Sequence, residues 1–162
     1  MLEGNNIMLR PLKESDFNLL EKIENNTDNW QFGSENKIYS KHELLDYISN
    51  SRIDIRVAKQ FRFVIDLNSV PIGFIDLFDY TFDSAGVGVI ISNDYRRRGF
   101  AKEALSLLLI YATKTLSLEK LHCMVRKDNL SSIKLFASCG FHAIRDKEEE
   151  VGYFIKLAKN LK

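Results

Sequence analysis

Asp94-Tyr95-Arg96-Arg97-Arg98-Gly99-Phe100-Ala101-Lys102 joins a β-branched apolar run to an amphipathic one. Upstream, Ala85 to Ile91 is rich in Val and Ile and suits a strand. Downstream, Ala101, Ala104, Leu105, Leu108, Leu109 and Ala112 recur at helical spacing. A glycine at such a strand-to-helix turn lets the main chain approach a phosphate, and the N–H groups that open the helix then point at the anion. Three arginines add positive charge, and a guanidinium matches phosphate geometry. The stretch has neither the Gly-Lys-Ser/Thr of a P-loop nor the three glycines of a dinucleotide fingerprint. Taken alone it describes either an anion site or a solvated basic helix start.

The flanking segments supply the context. Asn6 to Leu12 alternates like a strand, and Ser15 is placed to cap a helix carrying Phe17, Leu19, Leu20 and Ile23. Asn25 to Tyr39 has no period and suits a loop. Ser40, with Glu43 three residues on, has capping-box spacing ahead of Leu44, Leu45 and Ile48. Phe61 to Leu67, Val70 to Phe82 and Ala85 to Ile91 follow one another through the short turns Asn68-Ser69 and Asp83-Ser84, so they predict an antiparallel meander. Leu118 to Val125 is a further strand, and Ser131 to Ala137 a helix ended by Cys139-Gly140, glycine being the usual left-handed residue there. Two strands, Phe141 to Ile144 and Val151 to Leu157, flank the acidic turn Asp146 to Glu150. The order β-α-α-β-β-β-α-β-α-β-β predicts an α/β domain with a mixed sheet of about seven strands and helices on both faces.

The 162 residues suit one domain, 1–162, with 45% apolar and 28% charged residues, close to ordinary soluble usage. That composition excludes a disordered chain, a collagen-like repeat and a disulfide-rich miniprotein. No apolar run approaches the ~20 residues of a membrane span, and MLEGNNIMLR lacks the pattern of a signal peptide. Two cysteines without metal-ligand spacing, Cys123 and Cys139, predict reduced thiols, no metal site and a cytoplasmic setting. Residues 1–95 hold nine Lys/Arg against fifteen Asp/Glu, whereas residues 96–162 hold fourteen against seven. Such asymmetry between halves points to two partners of opposite sign.

Arg96-Arg97-Arg98-Gly99-Phe100-Ala101 resembles the Arg/Gln-x-x-Gly-x-Gly/Ala signature of the GCN5-related N-acetyltransferase (GNAT) superfamily. The stretch Asn129 to Phe141, with its Asn, a later aromatic at Phe136 and a final Gly-Phe, resembles that family's second stretch. Met8 to Asp16 is similar to the opening of its ribosomal-protein and polyamine acetyltransferase branch. The resemblance covers nearly the whole chain. It implies a mostly antiparallel sheet, acetyl-coenzyme A as donor and a primary amine as acceptor. Backbone N–H groups from Arg98 to Lys102, with Arg96 and Arg97 nearby, would cradle the pyrophosphate, and Phe100 and Ala101 belong to that cradle. Val89, Ile90 and Ile91 would carry a bulge that splays their strand from Leu121 to Val125, and the pantetheine arm would lie in the gap. Either Ile90 or Ile91 would offer an N–H to the thioester carbonyl. Asn129 would bond the pantetheine, and Phe136 would line its path.

The acid–base chemistry departs from this pattern. An alkylamine with a pKa near ~10.4 is only on the order of one part in a thousand neutral at pH 7, so a base or a desolvated site must help. Many relatives carry Tyr where this chain has Phe136 and Glu where it has Gly86. A thiolate of pKa near ~8.5 leaves with little assistance, so Phe136 costs less than the missing Glu. Asp76 and Asp79 are the candidate bases. Asp76 shares a strand face with Phe74 and Phe78, where burial would raise its pKa, unless an arginine pairs with it. His122 and Cys139 suit packing. Tyr153, Trp30 and Phe32 could reach or wall the acceptor site.

The expected acceptor is a small cationic amine such as a polyamine. The alternatives are a protein N-terminus or lysine, or a non-catalytic acyl-coenzyme A-binding module. Nucleic acid and membrane are not expected as partners. A homodimer could form through the exposed edge of the last strand.

Overall fold

The computed structural model describes residues 1–26, 37–146 and 150–157. Eight strands form one open sheet in the order β1-β2-β3-β4-β5-β6-β8-β7. They are β1 (Leu2–Glu3), β2 (Met8–Pro11), β3 (Phe61–Leu67), β4 (Val70–Phe78), β5 (Ser84–Ile91), β6 (Lys120–Arg126), β7 (His142–Asp146) and β8 (Glu150–Lys156). All neighbours are antiparallel except β5 and β6, which run parallel. Among the described residues five α-helices accompany the sheet: α1 (Phe17–Glu24), α2 (Lys41–Asn50), α3 (Ile55–Ala58), α4 (Phe100–Lys114) and α5 (Leu130–Ser138).

The meander is as expected. Asn68 and Ser69 both adopt positive φ, the twist that joins β3 to β4 in a tight hairpin. In β4, odd residues such as Ile75 and Leu77 pack with Leu105 and Leu108 of α4 in the larger core. From Phe74 onward the even residues face the other way, where Phe74 and, from β3, Val64 join Leu20 and Ile23 of α1 and Leu44 and Ile48 of α2. The period of two along the strands thus divides the molecule into an α4/α5 face and an α1/α2 face.

The sheet agrees with the expected mixed, mostly antiparallel sheet of about seven strands, the two-residue β1 adding an eighth to β2. Three expectations need correction. The central strand stops at Phe78, not Phe82: Asp79 turns to φ 47 and Tyr80 N–H bonds the Lys59 carbonyl at 3.0 Å. Ser15 does not cap α1; a 3₁₀ turn over Glu14–Asp16 leads in, and the Asp16 carboxylate takes the Lys13 N–H at 2.9 Å. The final strand β8 lies between β6 and β7, so it has no open edge, and the edge strand on that side is β7. The capping box at Ser40 does form, with Glu43 N–H donating to Ser40 Oγ at 3.1 Å. Gly140 takes φ 93 after α5, as its position requires. Trp30 and Phe32 lie outside the described residues.

Candidate active site

β5 and β6 pair at only three positions, Ser84 with Lys120, Ala85 with Leu121 and Gly86 with His122. Beyond that point β5 stays on β4 as far as Ile91, while β6 stays on β8 as far as Arg126. The sheet therefore opens in a V with its vertex at Gly86 and His122. The expected bulge is absent: Gly73–Ile91 through Phe78–Gly86 pair in unbroken register.

The direction of the backbone groups along β5 follows from the ladder. Ser92 N–H donates to the Ile72 carbonyl at 2.8 Å, so even-numbered residues of β5 turn their N–H groups toward β4. Val89 and Ile91 turn theirs into the gap, whereas Val87, next to the Gly86–His122 pair, spends its N–H on the β6 ladder. Consistently, Arg96 Nε donates to the Ile91 carbonyl at 2.7 Å from the gap side. Ile90 is thereby removed as a donor to a group in the gap, because its N–H belongs to the β4 ladder.

At the open end of the V lies the basic loop. Gly99 takes φ 86 and no atom stands within 4 Å of where a Cβ would be. Arg97 is also left-handed, at φ 62. The first backbone bond of α4 runs from Glu103 N–H to the Gly99 carbonyl at 3.1 Å. Phe100, Ala101 and Lys102 N–H groups precede it and have no acceptor within the helix. Arg97, Gly99 and Lys102 are exposed, and the exposed Arg98 guanidinium stacks over Phe100 and Tyr95 at 5.2 and 5.6 Å from the ring centres. Phe100 itself is buried.

A cavity of about 1030 Å³ runs through the V from one face of the sheet to the other. On the α5 side it is lined by Val125, Asn129, Ser132 and Phe136. Asn129 caps α5, its Oδ1 accepting from Ser132 N–H at 3.2 Å, which leaves its Nδ2 as the donor. Phe136 is buried and meets Phe141 edge to face at 5.0 Å. On the α1/α2 side the walls are acidic: Glu24, Glu43, Asp46, Asp76 and Asp79 all border the space.

Arg62 organises that acidic side. Its Nε and Nη2 donate to the two oxygens of Asp76 at 2.7 and 2.8 Å, and its Nη1 donates to Glu24 at 2.6 Å. The guanidinium lies between the rings of Phe74 and Tyr47, 5.0 and 5.4 Å from their centres. Asp76 does share its face with Phe74 and Phe78, but its side chain remains 26% exposed and Arg62 engages both oxygens. The pairing that the sequence left open is the one that forms, and the burial expected to raise Asp76 is not found. Burial pushes the Tyr47 hydroxyl up, against the pull of Arg62.

Other candidates separate cleanly. Cys123 borders the cavity, but burial pushes its thiol up to about 12, so it is no nucleophile at neutral pH. Cys139 is free and half-buried at the end of α5. Tyr153 is buried in the larger core and does not border the cavity. His122, assigned to packing from the sequence, borders it at the vertex. Alternation along Leu118–Val125 had placed His122 on one face of a strand, yet only the register with Gly86 shows which face that is. Among the described residues no group of three or more His, Cys, Asp or Glu is placed to hold a metal.

A family model described as an acetyltransferase (GNAT) domain matches residues 6–142. The chain belongs to the GNAT acetyltransferase family. A spermidine N(1)-acetyltransferase of Vibrio cholerae is 26% identical over 137 residues, 83% of this chain and 78% of that protein. The crystal structure of the Vibrio cholerae spermidine N-acetyltransferase with CoA and spermine superposes with TM-score 0.84 at 23% identity, over 98% of this chain and 100% of that one. Mycobacterium smegmatis RimJ with CoA-disulfide gives 0.80 at 19% identity, over 96% and 84%. At these identities the structural matches establish the fold. As a GNAT acetyltransferase the chain is an N-acetyltransferase that takes its acetyl group from acetyl-CoA and passes it to an amine.

Proposed function

We propose that this GNAT acetyltransferase acetylates a small amine carrying two or more positive charges, of the polyamine kind. The acidic wall on the α1/α2 side of the cavity carries the proposal. Five carboxylates, Glu24, Glu43, Asp46, Asp76 and Asp79, border that side, and Arg62 is its central cation. Arg62 is already matched by Glu24 and Asp76, and Lys37 pairs with Glu43, so Asp46 and Asp79 leave a negative field that draws a flexible cation in. Similarity to a spermidine acetyltransferase supports the same substrate class.

The donor enters from the other side. The residues present fit acetyl-CoA, because the strand edge in the gap and the empty space at Gly99 are both backbone-lined. N–H groups of Phe100, Ala101 and Lys102 bind the pyrophosphate, helped by the start of α4 and by Arg97 and Arg98. Arg96, with Nε on the Ile91 carbonyl, holds the loop to β5. Val89 and Ile91 offer gap-facing N–H groups to the pantetheine amides and the thioester carbonyl, as an added strand would require. Asn129 Nδ2 donates to the same arm, and Phe136 forms its apolar wall. Asp76 acts with Glu24 to hold Arg62 in place, and Asp46 and Asp79 are the electrostatic partners of the acceptor's ammonium groups.

A cytoplasmic setting is supported by two free cysteines, and a homodimer by the open edge of β7, where Ile144 is 57% exposed. Thiol release from acetyl-CoA with spermidine, a lysine peptide and an N-terminal peptide tests the substrate. Turnover with spermidine above both peptides is the expected result. A preference for either peptide would place the chain with the protein acetyltransferases instead.

A further inference from the structure

His122 stands where the sheet divides. It is the last residue of β6 to pair with β5, opposite Gly86, and it borders the cavity. Residues in register across paired strands point to the same face. Gly86 pairs with Phe78, and Gly88 with Asp76, so His122 shares the α1/α2 face with Asp76 and Phe78. That is the face from which the acceptor reaches the vertex.

A side chain at Gly86 would require the Phe78 ring to move. A Cβ there would come within 2.4 Å of the Phe78 ring, which covers the position. Gly88 has its nearest neighbours at 3.8 and 4.0 Å, Phe78 and Asp76, so the space beside it stays open toward the cavity. No carboxylate of β5 reaches the vertex, and Asp76 has both oxygens on Arg62. The His122 imidazole, by contrast, makes no hydrogen bond or ion pair among the described residues.

We propose that His122 is the base that takes the proton from the attacking amine, a role that rests on the acetyltransferase function above. The amine nitrogen bonds to the thioester carbon and becomes acidic as it does so. An imidazole nitrogen of His122 accepts that proton, the C–S bond breaks, and coenzyme A leaves as the thiolate, which takes a proton from water. Amide, thiol, a protonated imidazole and the hydroxide left by that water account for every atom and charge, and the proton that the imidazolium then releases to solvent neutralises the hydroxide.

The surroundings keep the imidazole neutral at physiological pH. Burial lowers its pKa first, Lys120 on the same strand lowers it further, and Asp79 at the end of β4 opposes them. From β8, His122 is paired with Phe154, which carries no charge. From β5 its neighbour is Gly86, and the Arg62–Asp76 pair lies further along the same face.

The test compares wild type, His122→Gln and His122→Ala by acetyl-CoA calorimetry and by the pH profile of thiol release with spermidine. For the wild type, kcat/KM should fall on acidification through a limb at or below pH ~6.5, the ordinary histidine value. His122→Gln should bind acetyl-CoA as the wild type does, lose kcat by ~10²–10⁴-fold, and lose that limb. Added imidazole should partly restore His122→Ala. Wild-type turnover with no acidic limb, or a His122→Gln enzyme with unchanged kcat and profile, overturns the assignment and leaves the acetyltransferase function standing. Tight acetyl-CoA binding with no wild-type turnover on any amine overturns the function itself, and the base with it. The wild-type profile decides the question even where a variant does not fold.

Discussion

The two ends of the cavity are built from different materials. The end proposed for the donor is mostly main chain: the gap-facing groups of Val89 and Ile91, and the first turn of α4 behind Gly99. The end proposed for the acceptor is mostly side chain, with Glu24 from α1, Asp46 and Tyr47 from α2, Arg62 from β3, Asp76 from β4 and His122 from β6. A main-chain site depends on conformation, so it tolerates change in every side chain except those that set φ. A side-chain site depends on charge pairing between distant segments, so single substitutions there disturb stability and binding together.

The sharpest way to break that contrast is Arg62→Ala. It leaves Glu24 and Asp76 facing each other without their shared cation and empties the slot between Tyr47 and Phe74. Removing one member of a buried pair costs about 3–5 kcal/mol. With 16% and 26% of the two main side chains still exposed, the loss should fall near the lower figure. Urea denaturation measures it. Arg62→Lys should recover only part, because an ammonium cannot bond two carboxylates and stack between rings as a guanidinium does.

Gly99→Asp tests the donor end. Asp must adopt φ 86 at a cost of about 1–2 kcal/mol and places a carboxylate where the pyrophosphate is proposed to lie. Acetyl-CoA affinity should fall at least tenfold and the urea midpoint should drop by the cost of that strain, while spermidine affinity changes little. Gly99→Ala, with the strain but without the charge, should lie between.

Acid stability provides a third comparison, away from the cavity. Arg10 donates to Asp16 and Asp66 in the floor beneath α1, at 2.7–2.8 Å. Although burial pushes the Asp16 carboxyl up, the Arg10 guanidinium and the Lys13 N–H hold it below its ordinary value. A folded pKa below the unfolded one gives stability that is present above ~3.9 and is lost as pH falls through the folded value. The urea midpoint should therefore decline below about pH 4, and Asp16→Asn should flatten that decline.

The smallest effect is expected from Phe136→Tyr. It restores the hydroxyl that many relatives carry there, beside Phe141. If the thiolate leaves unaided, kcat should change by less than about threefold, since a leaving group of pKa near ~8.5 needs little protonation at the transition state.

What was legible in the chain divides along the same line. Nine consecutive residues around Gly99 carried the strand–loop–helix junction proposed to hold the donor, because glycine and a helix start are local features. The meander and α4 were legible from periods of two and 3.6. The α1/α2 face was not, since nothing local says that Arg62 meets Glu24 thirty-eight residues away, or that β8 inserts between β6 and β7. The vertex of the V was missed for the same reason. His122 gains its position from a parallel register with Gly86 that no sequence period encodes.

One measurement bears most directly on the cavity as a whole: acetyl-CoA-dependent thiol release with spermidine, followed across ionic strength. An acidic acceptor end predicts turnover with a KM that rises steeply with salt while kcat stays nearly level, because screening weakens capture but not the chemistry. Turnover confined to uncharged or anionic amines, or a spermidine KM indifferent to salt, would contradict it.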